Sequence, residues 1–253
     1  MDYSRYLDCL AADFARLRAV VPTDFGAPVP TCPGWSVADL TRHVGDVYLH
    51  KTLAIREGAE PEPWPPAELA SEEPLALLDR AYAELRAEFA AHDPLDAAGS
   101  WYAPGRFVGF WIRRMAQETV IHRIDAELGV GAPVAPIPAD LAVDGVDELL
   151  RVFLEYSVAE WADSFREILA GSPGWTFVVR ADDTAWSVRT EPGVFTVTDG
   201  VADAADVTVT GPPAAMLRWL WGRELAAEPS GVSVEGPPEA VAELRRCIVV
   251  ATQ

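Results

Sequence analysis

Apolar residues recur at helical spacing through the first half of the chain and switch to period two in the second half. Over residues 2–20, Tyr6, Leu10, Phe14 and Leu17 fall three or four apart, the stripe of an amphipathic helix. The segment VPTDFGAPVPTCPGW then breaks the pattern with proline and glycine. Ser36 is a natural N-cap, and Asp39 three residues later fits a capping box, so a second helix is expected to start there. Its inward seam is read as Leu40, His43, Val47, His50 and Ala54. After the acidic, proline-rich stretch GAEPEPWPPAELASEE, a third helix is expected from Ser71 to about His92, with Leu75, Leu78, Tyr82, Leu85 and Phe89 as its stripe. A fourth is expected from about Pro104 to Leu128, ending at Gly129, with Trp111, Met115, Glu118, His122 and Asp125 along its seam.

GVGAPVAPIP reads as a linker. A long helix is expected from Ala139 to Ala170, stopped by Gly171. The strand candidates WTFVVR, AWSVRT, VFTVT and DVTVTG follow, then a proline-opened helix (PPAAMLRWLWGR), a last strand (GVSVEG) and a last helix (PPEAVAELRRCIVV). The fold class this implies is α+β, with a four-helix bundle over residues 1–135 and a small, mostly antiparallel sheet with helices over residues 136–253.

Composition narrows the functional field. The chain has 253 residues, half of them apolar, so a sizeable core is possible. A formal net charge of −19 disfavours nucleic acid and anionic membranes as partners, because both demand clustered cations. Lys51 is the only lysine. The N-terminal stretch has early acids and no long apolar run, which argues against a signal peptide and for a cytoplasmic protein. Cys9, Cys32 and Cys247 form no CxxC pair and no disulfide framework. Cys32 is read as part of a structural Pro–Gly turn.

Glu118 and His122 stand at i and i+4 and leave the same helix face. A carboxylate in a bundle interior is costly unless it is paired or bound to metal. His43, on the inward-reading seam of another helix, is a second polar anomaly of the same kind. Two histidines and one carboxylate suit a zinc site with an open fourth position, and they also suit Fe²⁺ or Ni²⁺. The same residues also read as a buried Glu–His ion pair with His43 hydrogen-bonded in the core. His50 is an additional candidate ligand. Asp46 and Asp125, one turn beyond His43 and His122, read either as partners that orient the imidazoles or as solvated acids. Trp35, Trp101 and Trp111 are candidate cleft or core aromatics. Arg223, and after it Arg218, is the candidate for clamping an acidic substrate.

TCPGWSVADLTRHVGDV, followed by QETVIHRIDAELG and later ADVTVTGPPAAMLRWLWGR, resembles the mycothiol-dependent maleylpyruvate isomerase family of the DinB-like superfamily. The likeness runs through nearly the whole chain in the right order. It implies a DinB-like metal-binding bundle followed by a sterol-carrier-like α+β domain. It also implies a divalent metal, usually zinc, on His43, Glu118 and His122, with mycothiol as thiol co-substrate. The expected enzyme activates mycothiol for attack on a small electrophile. Addition, rotation and loss of the thiol would give cis–trans isomerisation, and addition without loss would give S-transfer. The alternative is a non-catalytic metal- and small-ligand-binding protein of the same superfamily.

Overall fold

In the computed structural model, which describes residues 1–224 and 230–252, the chain divides into two units, Met1–Ala135 and Pro136–Gln253. The first contains helices α1 (Tyr3–Val20), α2 (Val37–Glu57), α3 (Pro74–Ala91) and α4 (Val108–Gly129). Local chemistry sets their ends. Asp2 caps α1 by accepting from the Arg5 amide at 2.7 Å. Ser36 and Asp39 form the full capping box of α2: the Asp39 amide donates to Ser36 Oγ at 3.2 Å and the Ser36 amide to Asp39 Oδ2 at 2.9 Å. Gly58, at φ +69°, ends α2 in the left-handed conformation that glycine adopts without penalty.

Two helices start later than their sequence pattern predicts. Ser71 closes a separate 3₁₀ turn, Ala67–Ser71, and α3 begins at Pro74, whose fixed φ and missing N–H suit a first helical position. Residues Ala103–Gly105 likewise form a single 3₁₀ turn. Phe107 is extended and bridges to Ala97 before α4 can begin.

In this unit α2 packs on α3 and α1 on α4, while α2 also touches α4. Gly45 permits the first contact, since a Cβ there would lie 2.9 Å from Leu77 Cγ. The core side of α2 runs through Leu40, Val44, Tyr48 and Ile55, not through the expected Val47 and His50, which are only half-buried. Leu40 and Ala54 of the predicted seam are buried, while between them the core face is turned by one position, to Val44 and Tyr48. His43 lies at the border of the core with 36% of its side chain exposed. Helix α4 is buried almost all round, so its sequence carries little directional pattern.

The second unit opens with α5 (Ala139–Glu148), seven π-helical residues (Leu149–Glu155), α6 (Tyr156–Glu160) and α7 (Ala162–Leu169). The single long helix expected here is interrupted at Trp161, whose φ −122° and ψ 46° leave the helical region. Strands β1 (Thr176–Ala181), β2 (Thr184–Glu191), β3 (Val194–Asp199), β4 (Val207–Gly211) and β5 (Ser233–Glu235) form one sheet in the order β3-β2-β1-β4-β5. Among the described residues, only the β1–β4 pairing is parallel. Arg151 and Glu155, on the π-helical stretch, bond the Val197 carbonyl and amide and so cover the β3 edge. Helices α8 (Pro213–Leu220) and α9 (Pro238–Thr252) complete the unit. Among the described residues, no helix is long and apolar enough to cross a membrane.

Candidate metal centre

Helix α2 supplies His43, and α4 supplies Glu118 and His122 one turn apart. The two helices bring the three together: one donor atom from each lies within 4.8 Å of the others. His43 Nε2 is 3.4 Å and His122 Nε2 3.1 Å from the same oxygen, Glu118 Oε1. The imidazole rings stand nearly perpendicular with centroids 4.9 Å apart. Glu118 and His122 side chains are only 12% and 11% exposed, so His43 marks the open side of the group.

Several neighbours tune this group. Arg114, one turn before Glu118 and buried, pairs with Glu118 Oε2. Burial by itself pushes the Glu118 carboxyl up, but the His122 imidazole and the Arg114 guanidinium outweigh it and hold the carboxyl well below its usual range. Burial pulls the His122 imidazole down, and against it Glu118 and Asp125 raise it to about 9. Asp125 is fully buried, and its Oδ2 lies 3.0 Å from His122 Nδ1. It therefore partners an imidazole and is not a solvated acid. Its other oxygen accepts from Thr31 Oγ1 at 2.5 Å, and Cys32 Sγ donates to Oδ2 at 3.6 Å. Trp35 packs against the His43 ring with centroids 4.9 Å apart.

The donor set is two imidazole nitrogens and a carboxylate oxygen, next to the Arg114 guanidinium. That is borderline-soft chemistry suited to Zn²⁺, Fe²⁺ or Ni²⁺.

The other sequence candidates fall elsewhere. His50 is outside the three-residue group. It packs edge-on against Trp64 and lines an open cavity of about 620 Å³ with residues 60–64. Burial and the nearby Lys51 push its imidazole down to about 4. Lys51 pairs with Glu60 at 3.5 Å and sits over the Trp111 ring. Asp46 keeps one buried carboxylate oxygen without a hydrogen-bond partner. Trp111 is a core residue, fully buried, whose Nε1 donates to the Gly99 carbonyl. Trp101 packs on Tyr102 and Phe110. Arg223 belongs to the second unit, where its Nη1 donates to the Trp221 carbonyl at 2.6 Å. Arg218 Nε donates to the Arg223 carbonyl at 3.0 Å. Sequence reasoning missed Arg114, although its i,i+4 relation to Glu118 was a usable signal. It also missed Thr31, for which no local signal exists.

Residues 7–127 match the family model described as the mycothiol maleylpyruvate isomerase N-terminal domain, and residues 140–243 match the model of the C-terminal domain of the same family. The chain belongs to the mycothiol maleylpyruvate isomerase family. A crystal structure of the mycothiol-dependent maleylpyruvate isomerase is similar over 94% of this chain and 95% of its own, with a TM-score of 0.61 and 18% identity. A histidine-to-alanine variant of that isomerase gives a TM-score of 0.60 at 16% identity, with the same coverage. At these identities the likeness establishes the isomerase-family fold. No curated protein matches the chain in sequence.

Proposed function

We propose that this chain is a metal-dependent enzyme that uses mycothiol on a small electrophile, by cis–trans isomerisation or by S-transfer. Family membership supports the reaction class, and the solved relative is by name a mycothiol-dependent maleylpyruvate isomerase. The observation that carries the reading is the convergence of His43, Glu118 and His122 from two helices. In this reading those three side chains hold a divalent ion, zinc first. Such an ion would supply Lewis-acid chemistry, favouring the thiolate form of a thiol at neutral pH.

The chain's own groups then have defined tasks. Glu118 contributes the negative charge of the ligand set, and Arg114 fixes its second oxygen. Asp125 accepts from His122 Nδ1–H and leaves Nε2 free to ligate. Half-exposed His43 lies on the side from which a thiol would approach. For isomerisation, the thiolate adds to one alkene carbon and the electron pair moves onto a conjugated carbonyl. Rotation about the resulting single bond follows, and expulsion of the thiolate re-forms the double bond in the trans geometry. For S-transfer, the same adduct is protonated and released. Arg223 is the candidate clamp for a carboxylate on an acidic electrophile.

The test is metal analysis of untagged protein, followed by incubation with mycothiol and maleylpyruvate or a panel of other electrophiles. The expected result is about one divalent ion per chain and turnover that requires both ion and thiol. Metal-free protein with undiminished turnover would overturn the metal reading. Thiol binding without product across the panel would instead favour a non-catalytic binding protein. Arg223→Lys should raise KM for an acidic electrophile and leave a neutral one unaffected.

A further inference from the structure

The segment Thr31–Trp35, TCPGW, supplies none of the three candidate ligands, yet its side chains contact both histidine arms of the group. Thr31 Oγ1 donates to Asp125 Oδ1 at 2.5 Å and Cys32 Sγ to Asp125 Oδ2 at 3.6 Å, while Asp125 Oδ2 holds His122 Nδ1 at 3.0 Å. Three residues further on, Trp35 lies against the His43 ring, tilted by 57°. The loop is itself fixed. The Cys32 carbonyl accepts from the Trp35 amide at 3.0 Å, closing a turn around Pro33 and Gly34. Gly34, at φ +86°, occupies the position of a type II turn that requires positive φ, and Pro33 the position that favours a fixed negative φ. The Val29 amide donates to the Trp35 carbonyl at 2.9 Å and the Cys32 amide to the Val29 carbonyl at 3.1 Å. The Ser36 capping box follows directly and ties the same loop to the start of α2.

We infer that TCPGW is a positioning clamp for the metal centre: Thr31 and Cys32 act on His122 through Asp125, and Trp35 acts on His43 by ring packing. The geometry assigns each residue its part. Asp125 is fully buried, and an ionised carboxylate there requires donors; His122, Thr31 and Cys32 provide them. With both carboxylate oxygens engaged, Asp125 cannot swing away from Nδ1. The imidazole is thus kept with Nδ1–H toward Asp125, and Nε2, which faces Glu118 and His43, is the nitrogen that would give up its proton to bind an ion. Trp35 limits rotation of the more exposed His43. The turn joins the two actions, since Pro33 and Gly34 set the spacing between Thr31 and Trp35. Thr31, Cys32, Trp35 and Asp125 are positioning residues in this account, because none touches a reacting atom.

The inference rests on the metal reading above, and the experiment separates the two. Zn²⁺ affinity is measured by chelator competition on the full chain, and the visible spectrum of the Co²⁺-loaded protein reports ligand geometry. Circular dichroism confirms that each variant is folded. Asp125→Ala is expected to weaken Zn²⁺ binding by about 10- to 100-fold, the range found when partners of ligating histidines are removed. Asp125→Asn, which keeps an acceptor oxygen, should fall between wild type and Asp125→Ala and guards against a folding defect in the latter. Thr31→Val should weaken binding by about 2- to 10-fold, the value of one hydrogen bond, and Thr31→Ser should restore it. In the Asp125→Ala background Thr31→Val should cost nothing further, because its route is gone, whereas Trp35→Ala should still add its own loss. The Co²⁺ spectrum should change in Asp125→Ala and Trp35→Ala. Wild-type affinity in Asp125→Ala, or an undiminished Thr31→Val effect in its background, overturns the His122 arm. Unchanged affinity and spectrum in Trp35→Ala overturn the His43 arm. Wild-type protein that binds neither ion overturns the metal reading itself.

Discussion

Helix α4 carries two buried charged clusters barely a turn apart, and they are built on opposite principles. In the first, Arg123 is fully buried and donates to Asp13 at 2.9 Å, to Glu127 at 2.7 Å and to the Ala135 carbonyl at 3.0 Å. Arg16 reaches Glu127 from outside at 2.6 Å. Two arginines thus face two carboxylates, and the charges cancel within the cluster. In the second, Arg114 pairs with Glu118, Asp125 is held by Thr31 and Cys32, and the two histidines lie against these carboxylates. This cluster offers two imidazole nitrogens and a carboxylate oxygen close together, so it has chemical room for a cation. The first is closed by arginines, which cannot give up their charge, and the second by histidines, which can. The difference separates a structural ion-pair network from a candidate ligand set within a single HRID motif: His122 and Asp125 serve one, Arg123 the other.

That contrast can be broken experimentally. The largest expected effect is on the closed cluster. Arg123→Ala leaves Asp13 and Glu127 buried without their main partner and should cost about 3–5 kcal/mol of stability, read from denaturant unfolding. Zn²⁺ bound per folded molecule should stay at the wild-type level. Metal loss in this variant would show the two clusters to be one coupled unit. Next comes ion removal. If the free ion is held about 1,000-fold above its dissociation constant, chelation should lower stability by about 4 kcal/mol. Absence of any chelator effect would remove the distinction between the clusters. A smaller effect is expected for His43→Ala. Because the side chain is 36% exposed, the stability of the chelated protein should change by less than about 1 kcal/mol, while the stabilisation by Zn²⁺ disappears.

The smallest effect lies outside both clusters. Burial and then Lys51 push His50 down to about 4, so the folded protein binds its proton less readily than the unfolded chain does. The stability this group contributes is therefore full above the unfolded value of about 6.5 and is lost as pH falls through about 4. A histidine NMR titration should find His50 neutral at pH 5.5. A midpoint near the ordinary histidine value would contradict the burial argument.

The parts of the fold read most accurately from sequence are those that local rules decide. The Ser36–Asp39 box and the period-two strands follow from capping and alternation within a few residues. Glu118 and His122 were legible as a pair because i,i+4 spacing fixes their common face. Helix α4 also shows where pattern fails. It is buried on nearly every side, so its apolar residues point to no seam. On α2 the error was rotational: placing His43 and His50 on the core stripe displaced Val44 and Tyr48, the residues that are fully buried. The interruption of the long helix at Trp161 has no sequence marker of the kind that Pro or Gly would give.

By itself, the sequence determined the helix caps, the strand alternation, the switch from helical to strand pattern and the Glu118–His122 pair, because each depends on neighbours along the chain. Only the tertiary structure decided which pairs of distant residues meet. It set His43 beside Glu118, gave Asp125 to Thr31 across 94 positions, assigned Arg123 to Asp13, and laid β4 parallel to β1. Those pairings come from packing α2 and α1 onto α4, and from the order of strands in a sheet. Side-chain chemistry limits such contacts, but chain-wide packing selects among them.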